Sequence, residues 1–404
     1  MKLEQLNLEH KKVLVRVDFN VPLDAQFNIS DDTRIRGALP TLRYILSQQP
    51  SRLILCSHLG RPLKKLKADG SLDVQKFTLQ HLVKSLSEHF GQEVIFSPES
   101  TGPVAEQIIA QAPQGSIILL ENTRFNAAEE KGGEDYAQAL AQLAEVYVND
   151  AFGAAHRAHS STAIIAKYFD NEHKAYGFLM RSELDSAARL LHQAQQPVVA
   201  IVGGAKVSDK ILLLEKLVEK VQTLIIGGGM AYTFFLAQGA QVGKSLVELD
   251  KLETAKALLE KAKQLGVRIL LPQDSIIADQ FSNEANRQVC SNWEIPSEYM
   301  GLDIGPEAVQ CFQEAILEAK TIFWNGPMGV FEFANFAQGT MRIAEAVAQA
   351  TQQGAYSLVG GGDSVAAINQ LGKANEVSYV STGGGAMLEL LEGKILPGVA
   401  AIEG

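Results

Sequence analysis

The chain has 404 residues, 46% of them hydrophobic and 20% charged, with a formal net charge of -10. Such a composition excludes disorder, exceeds one ordinary core and suits two domains of similar size. The acidic balance argues against nucleic acid or an anionic membrane as partner, while small anions stay possible at locally basic sites. Cys56, Cys290 and Cys311 show neither close pairing nor zinc-ligand spacing, and no apolar stretch reaches the length of a membrane span, so a cytoplasmic protein is expected.

In chain order, short apolar, β-branched runs at 13–17, 53–56, 94–96, 117–120 and 146–148 read as strands separated by segments of helical period. A polar segment at 170–174 precedes a helix expected over about 181–193, with Ser182 and Asp185 as its N-terminal capping pair and Pro197 beyond its end. Further strands are expected at 198–202, 224–226, 269–271, 322–324, 357–359 and 377–380. Strands that alternate with helices predict parallel sheets, hence an α/β protein of two doubly wound lobes joined by the helix. Residues 239–245 approach the P-loop pattern but have the wrong glycine spacing and follow no strand, so they read as a surface turn.

Ligands of open parallel sheets bind beyond the carboxyl ends of the strands. In the first half those positions carry Asp18-Phe19-Asn20, Ser57-His58-Leu59-Gly60-Arg61, Glu121-Asn122-Thr123-Arg124, and Asn149-Asp150 leading to His156-Arg157-Ala158-His159. Arginine forks bind phosphate and carboxylate oxygens in bidentate fashion, so their recurrence points to a small, strongly anionic substrate. Singly, each arginine reads better as a solvated charge or a partner of Asp18, Glu121 or Asp150; only their recurrence at strand ends favours function.

In the second half glycine takes those positions: Gly203-Gly204, Gly227-Gly228-Gly229, Asn325-Gly326, Gly360-Gly361-Gly362-Asp363-Ser364 and Gly383-Gly384-Gly385. Exposed amides and helix N-termini there suit a nucleotide's phosphates. Lys206 and Lys210, four apart, would share a face in a helical first turn. Asp363 suits a magnesium ion beside the phosphates and suits capping of the following helix equally well. A basic pocket on one domain and a nucleotide cradle on the other imply phosphoryl transfer in a closing cleft. An NAD-dependent oxidoreductase lacks support, because no Gly-x-Gly-x-x-Gly follows a first strand; a non-catalytic binding protein could keep both lobes without turnover but would have no need of Lys206 and Asp363 together.

These residues resemble phosphoglycerate kinases along the whole chain. Val15-Arg16-Val17-Asp18-Phe19-Asn20-Val21-Pro22 is similar to the family signature, and 57–62, 150–153, 203–210, 324–332 and 360–364 follow in order. The resemblance implies two Rossmann-like three-layer lobes and reversible transfer of a phosphoryl group from 1,3-bisphosphoglycerate to magnesium-ADP, giving 3-phosphoglycerate and ATP. It implies an N-terminal 3-phosphoglycerate domain of 1–175 and 390–404, a linker helix at 176–195 and a nucleotide domain at 196–389. It further implies substrate contacts from Asp18, Phe19, Asn20, Arg34, His58, Leu59, Gly60, Arg61, Arg124 and Arg157. On the nucleotide side it implies Lys206, Lys210, Gly301, Asn325, Glu332, Gly361, Gly362, Asp363 and Ser364, with Asp363 on Mg2+; Ser364 stands where threonine is usual. Arg34, Lys206 and Lys210 take the catalytic role, and with no long heptad or exposed apolar stripe a monomer is expected.

Overall fold

The computed structural model describes residues 2–404. They form two compact units, 2–184 with Ile395–Gly404, and Asp185–Lys394.

The first unit is built on six parallel strands, β1 (Lys12–Val17), β2 (Arg52–Cys56), β3 (Val94–Ser97), β4 (Ser116–Leu120), β5 (Val146–Asp150) and β6 (Lys174–Tyr176), in the order β3-β4-β2-β1-β5-β6. The central strand pairs Val13 with Leu53 on one side and Val146 on the other. Val13, Val15 and Val17 pack into one core layer with Ile35, Ala38 and Leu42 of the helix Thr33–Ser47. On the opposite face Leu14 packs with Ile54, Ile118 and Tyr147, and with Ile402 of the C-terminal helix Pro397–Glu403. Burial on both faces is why these strands read as unbroken apolar runs. Connections from β1 run outward to β2, β3 and β4 on one side and to β5 and β6 on the other, so the order reverses at β1, where a crevice opens beyond the strand ends.

β6 was not visible in the sequence. Its Lys174 is only 5% exposed because Nζ donates to the Ala401 carbonyl, 3.1 Å away on a segment remote in sequence. The helix expected from 181 runs Phe178–His192, so Ser182 and Asp185 lie inside it rather than capping it. Its first-turn amides are satisfied from elsewhere: Phe178 N–H donates to Thr41 Oγ1 (2.8 Å) and Met180 N–H to Asp150 Oδ1 (3.0 Å). Local capping rules cannot anticipate caps supplied by the tertiary fold.

The second unit carries β7 (Val198–Val202), β8 (Thr223–Ile226), β9 (Gln241–Val242), β10 (Arg268–Leu270), β11 (Asp274–Ala278), β12 (Arg287–Ser291), β13 (Glu294–Ile295), β14 (Met300–Ile304), β15 (Thr321–Asn325), β16 (Tyr356–Gly360) and β17 (Tyr379–Val380). Six of them form a parallel sheet, β10-β8-β7-β15-β16-β17, whose order reverses between β7 and β15. A small antiparallel sheet, β12-β11-β14, and the pair β13-β9 complete the unit. Their short, half-polar segments, such as Arg287-Gln288-Val289-Cys290-Ser291, lack the apolar continuity that marked the main sheet.

Asp303 on β14 is 2% exposed and caps the helix Gln338–Gln352, its Oδ2 accepting from Gly339 N–H at 2.8 Å and its Oδ1 from Ile304 N–H at 2.9 Å. Burial pushes its carboxyl up to about 7, against the pull of the two amides. Between its ordinary value of about 4 and about 7 the folded chain keeps a proton that the unfolded chain has released. This group's contribution to stability therefore falls as pH rises through that window and is constant above it. For Asp303→Asn, the stability difference, variant minus wild type, is expected to rise up to about pH 7 and then level. Denaturant midpoints at matched pH check this; a difference that stays flat from pH 4 to 7 refutes it.

Candidate active site

In the first unit, the crevice loops assemble a charged basin. Asp18, directly after β1, is 7% exposed and holds Arg34 through Nη1···Oδ2 at 2.5 Å. Arg34 lies in the first turn of Thr33–Ser47, a start fixed by Asp31, whose carboxylate accepts Thr33 N–H at 2.8 Å. Burial opposes ionisation of Asp18, but the Arg34 and Arg16 guanidinium groups and the Asn20 N–H outweigh it and hold the carboxyl below its ordinary value. It is therefore an anion at neutral pH.

His58, directly after β2, is 4% exposed, with Nε2 at 4.0 Å from Asp18 Oδ1. Burial, reinforced by Arg16, Arg124 and Arg34, keeps its imidazole well below the usual pKa despite Asp18. His58 is neutral, a hydrogen-bond partner rather than a cation. Asn20 Oδ1 accepts Gly60 N–H (2.8 Å), and Arg124 Nη1 donates to the Gly60 carbonyl (2.7 Å). Gly60 adopts φ +61 with the Phe77 ring against it, so no side chain fits there. Burial lowers the Arg124 pKa to about 10, which leaves it charged, and Glu130 lies 3.4 Å from its Nε. Arg61 and Arg157 are exposed, and Arg157 Nε donates to His156 Nε2 at 3.1 Å.

Phe19 and Leu59 belong to the core, 0% and 4% exposed, and offer only main-chain atoms to a ligand. The sequence reading also passed over Arg16 and Glu129, both fully buried. Arg16 left a signal: it is a charge inside a strand buried on both faces.

In the second unit, a cavity of about 480 Å³ is bounded by Gly204, Gly228, Tyr232, Lys244, Phe281, Met300, Gly301, Leu302, Met328, Val330, Glu332 and Asp363. Mostly apolar walls with a few polar groups at the rim suit a flat heterocycle carrying a hydroxylated, charged tail. A Cβ on Gly301 would overlap the Tyr232 hydroxyl, so glycine keeps this wall open. Gly301 N–H donates to Ser245 Oγ at 3.0 Å. Residues 239–245, expected as a plain surface turn, thus support the cavity and supply Lys244 to it.

The glycine clusters differ in what they offer. Gly203 N–H donates to the Asn325 carbonyl, Gly227 N–H to Val202 and Gly228 N–H to Met328, so these amides tie the loops together instead of facing an anion. The helix Gly362–Gln370 begins differently: its backbone bonds start with Val365 N–H to the Gly361 carbonyl, which leaves the preceding amides as an electropositive end. Asp363, exposed in that first turn, makes no side-chain hydrogen bond among the described residues, so it does not cap the helix. Ser364 is fully buried and its Oγ accepts Gly326 N–H, which ties the helix start to the β15 loop. Asn325 Nδ2 donates to the Gly360 carbonyl (2.8 Å) and its Oδ1 accepts from Lys210 Nζ. Burial lowers the Lys210 pKa, against the pull of Asp363 and Asp209. Lys206 and Lys210 both precede the helix Ile211–Leu217, so they share a loop and not a helical face. Lys206 and Glu332 are exposed.

Two parallel-sheet units, one with a basic basin and the other with a nucleoside-sized cavity beside a glycine-opened helix, define an α/β enzyme of the phosphotransferase class. The chain belongs to the phosphoglycerate kinase family, whose model matches residues 3–394. It is 49% identical over 427 aligned positions to a phosphoglycerate kinase of Porphyromonas gingivalis, with 100% of both chains covered. It is 52% identical to a cytosolic phosphoglycerate kinase of Nicotiana tabacum, covering 99% of this chain and 97% of that one. The solved phosphoglycerate kinase of Coxiella burnetii superposes with a TM-score of 0.86 at 40% identity, covering 100% and 98% of the two chains. The family reaction is reversible phosphoryl transfer between 1,3-bisphosphoglycerate and ADP, giving 3-phosphoglycerate and ATP, and this chain is a kinase of that kind.

Proposed function

We propose that the basin of the first unit holds the glycerate substrate and the cavity of the second holds ADP or ATP, and that the two act on one phosphoryl group. The observation that carries this reading is the contrast in chemistry at the two topological switch points. One brings Arg34 and Arg124 to Asp18, Asn20 and His58, with Arg61 and Arg157 exposed on the loops that follow β2 and β5; the other offers an apolar cavity edged by Glu332 and Asp363. Glu332 suits the ribose hydroxyls and Gly301 the base, with Gly361 and Gly362 amides and Ser364 near the phosphates.

In the ATP-forming direction a terminal phosphate oxygen of ADP attacks the acyl phosphorus, a new P–O bond forms, and the P–O bond to the glycerate carboxyl breaks with its electron pair leaving on the carboxylate. No covalent enzyme intermediate is required. Arg34 and Lys206 neutralise the oxygens of the group in transit, and Lys210, fixed by Asn325, assists. Asp363, exposed at the cavity and free of helix capping, fits a magnesium ion held by one carboxylate plus water and phosphate oxygens. Bound Mg2+ would supply charge neutralisation on the nucleotide phosphates. The transfer calls for hinge-bending that closes the units on one another during turnover, in a cytoplasmic monomer; no helix among the described residues is long and apolar enough to cross a membrane.

ATP formation from 1,3-bisphosphoglycerate and ADP in a coupled assay tests the reaction. The placement of the substrates is tested by Arg61→Ala, expected by calorimetry to weaken 3-phosphoglycerate binding by about tenfold, one charge-assisted contact, with ADP binding nearly intact. The reverse pattern would refute the assignment of the two units.

A further inference from the structure

Arg16 is the one guanidinium in the first unit with no exposure at all, and it sits near the end of the central strand β1. Its Nε donates to Ser161 Oγ at 2.7 Å, its Nη1 to the Val17 carbonyl, and its Nη2 lies 3.0 Å from His58 Nδ1. A guanidinium only donates. His58 Nδ1 must therefore accept, which puts the imidazole proton on Nε2, the nitrogen on the Asp18 side. Because burial among cations keeps this ring neutral, the tautomer is its remaining freedom.

A buried cation needs a buried counter-charge. Asp18 is already engaged by Arg34, which leaves Glu129, equally without exposure. Glu129 Oε1 accepts the Ser161 hydroxyl at 2.5 Å and Oε2 accepts Ser161 N–H at 3.0 Å. The hydroxyl has a single proton, and the carboxylate takes it, so Ser161 Oγ turns its lone pairs to Arg16. Tyr147 OH donates to the Ser161 carbonyl (2.8 Å) and Ser160 N–H to the Glu129 carbonyl (3.0 Å), which fixes both loops. Arg16 thus donates both ways, to the imidazole nitrogen and to the hydroxyl, and the hydroxyl passes its own proton to the Glu129 carboxylate, which thereby fixes the acceptor that orients the guanidinium against His58.

We infer that Glu129 is a positioning residue: acting through Ser161 and Arg16, it sets which nitrogen of His58 carries the proton and so which face of that ring the glycerate substrate meets. Its effect on substrate rests on the reading of the basin given under Proposed function; its hold on the ring does not. Glutamine at 129 keeps the shape but removes the charge and one acceptor. Either Ser161 N–H is then left without a partner or the hydroxyl turns, and Arg16 loses both its compensation and its oriented acceptor.

The test pairs ¹⁵N NMR of the histidine rings in the full chain with steady-state kinetics, for wild type, Glu129→Gln and Ser161→Ala. Wild-type His58 is expected to carry its proton on Nε2 alone. Both variants are expected to show a tautomer mixture and a KM for 3-phosphoglycerate raised roughly tenfold, the loss of one charge-assisted hydrogen bond, with kcat and the KM for ATP near wild type. Ser161→Ala removes a single oxygen and keeps the test decisive should the glutamine variant not fold. A pure Nε2–H ring in both variants overturns the inference, as does a loss of kcat that merely tracks the folded fraction. A tautomer mixture with unaltered KM upholds the hold of Glu129 on the ring and overturns instead the assignment of the basin to the glycerate substrate.

Discussion

Lys206→Ala is expected to lower kcat by about 10²- to 10³-fold in both directions of the reaction, the scale seen when one preorganised donor to developing charge is removed. KM for ATP should move far less, because charge on the transferring oxygens is greatest in transit and a contact made there contributes chiefly to the transition state. The structure makes this variant clean. Lys206 is exposed, with no hydrogen bond or ion pair among the described residues, so its removal leaves no buried group unpaired. Lys210 is a poorer probe, since its ammonium is the donor to the buried Asn325 Oδ1 and its loss would disturb the β15 loop as well as the chemistry. Steady-state kinetics with a thermal melt alongside decide the matter. A kcat within a few-fold of wild type, or a change confined to KM, would sink the role given to Lys206.

The elements legible in the sequence were those with local causes. β1, β2, β4, β7 and β15 are buried on both faces, and double burial writes a continuous apolar run that needs no partner to be recognised. The loops after them stood out for the same reason, because an arginine or a pair of glycines interrupting such a run is conspicuous. Asp18, Asn20, His58 and Arg124 stand out in this way, Arg34 only through the family resemblance, and the fold gathers them through Asp18 and Gly60. What escaped was set by residues remote in the chain. The start of Phe178–His192 depends on Thr41 and Asp150, Lys174 is buried by Ala401, and Lys244 reaches the cavity because Ser245 holds Gly301. Glu129 gave no signal, since an isolated Glu-Glu pair in a polar turn looks like solvated surface. The part of Ser364 as a strut was not legible, because its partner, Gly326, is 38 residues away.

Gly326 is where the largest loss of stability is expected. Its backbone sits at φ +103, outside the range that L side chains adopt, and a Cβ there would overlap the carbonyl carbon and oxygen of Gly203. Those are main-chain atoms of the loop after β7, so no rotamer change relieves the contact. Neither loop can retreat freely: Gly203 N–H donates to the Asn325 carbonyl, Trp324 Nε1 donates to the Gly326 carbonyl at 2.9 Å, and Ser364 Oγ holds Gly326 N–H. Backbone strain of about 1–3 kcal/mol adds to the displacement of two packed loops, so Gly326→Ala should cost about 3 kcal/mol or more. For a unit of this size that is a fall in Tm of roughly 6–12 °C. Gly354→Ala separates the two terms, because Gly354 has a similar φ of +98 and nothing within 4 Å of its would-be Cβ. If the interlocking of the β7 and β15 loops is the dominant cause, Gly326→Ala loses clearly more than Gly354→Ala and also raises the KM for ATP, since both loops border the cavity through Gly204 and Pro327. Equal losses in the two variants, with nucleotide KM unchanged in both, would reduce the Gly326 effect to backbone strain alone and refute the interlock as what holds the phosphate loops in place.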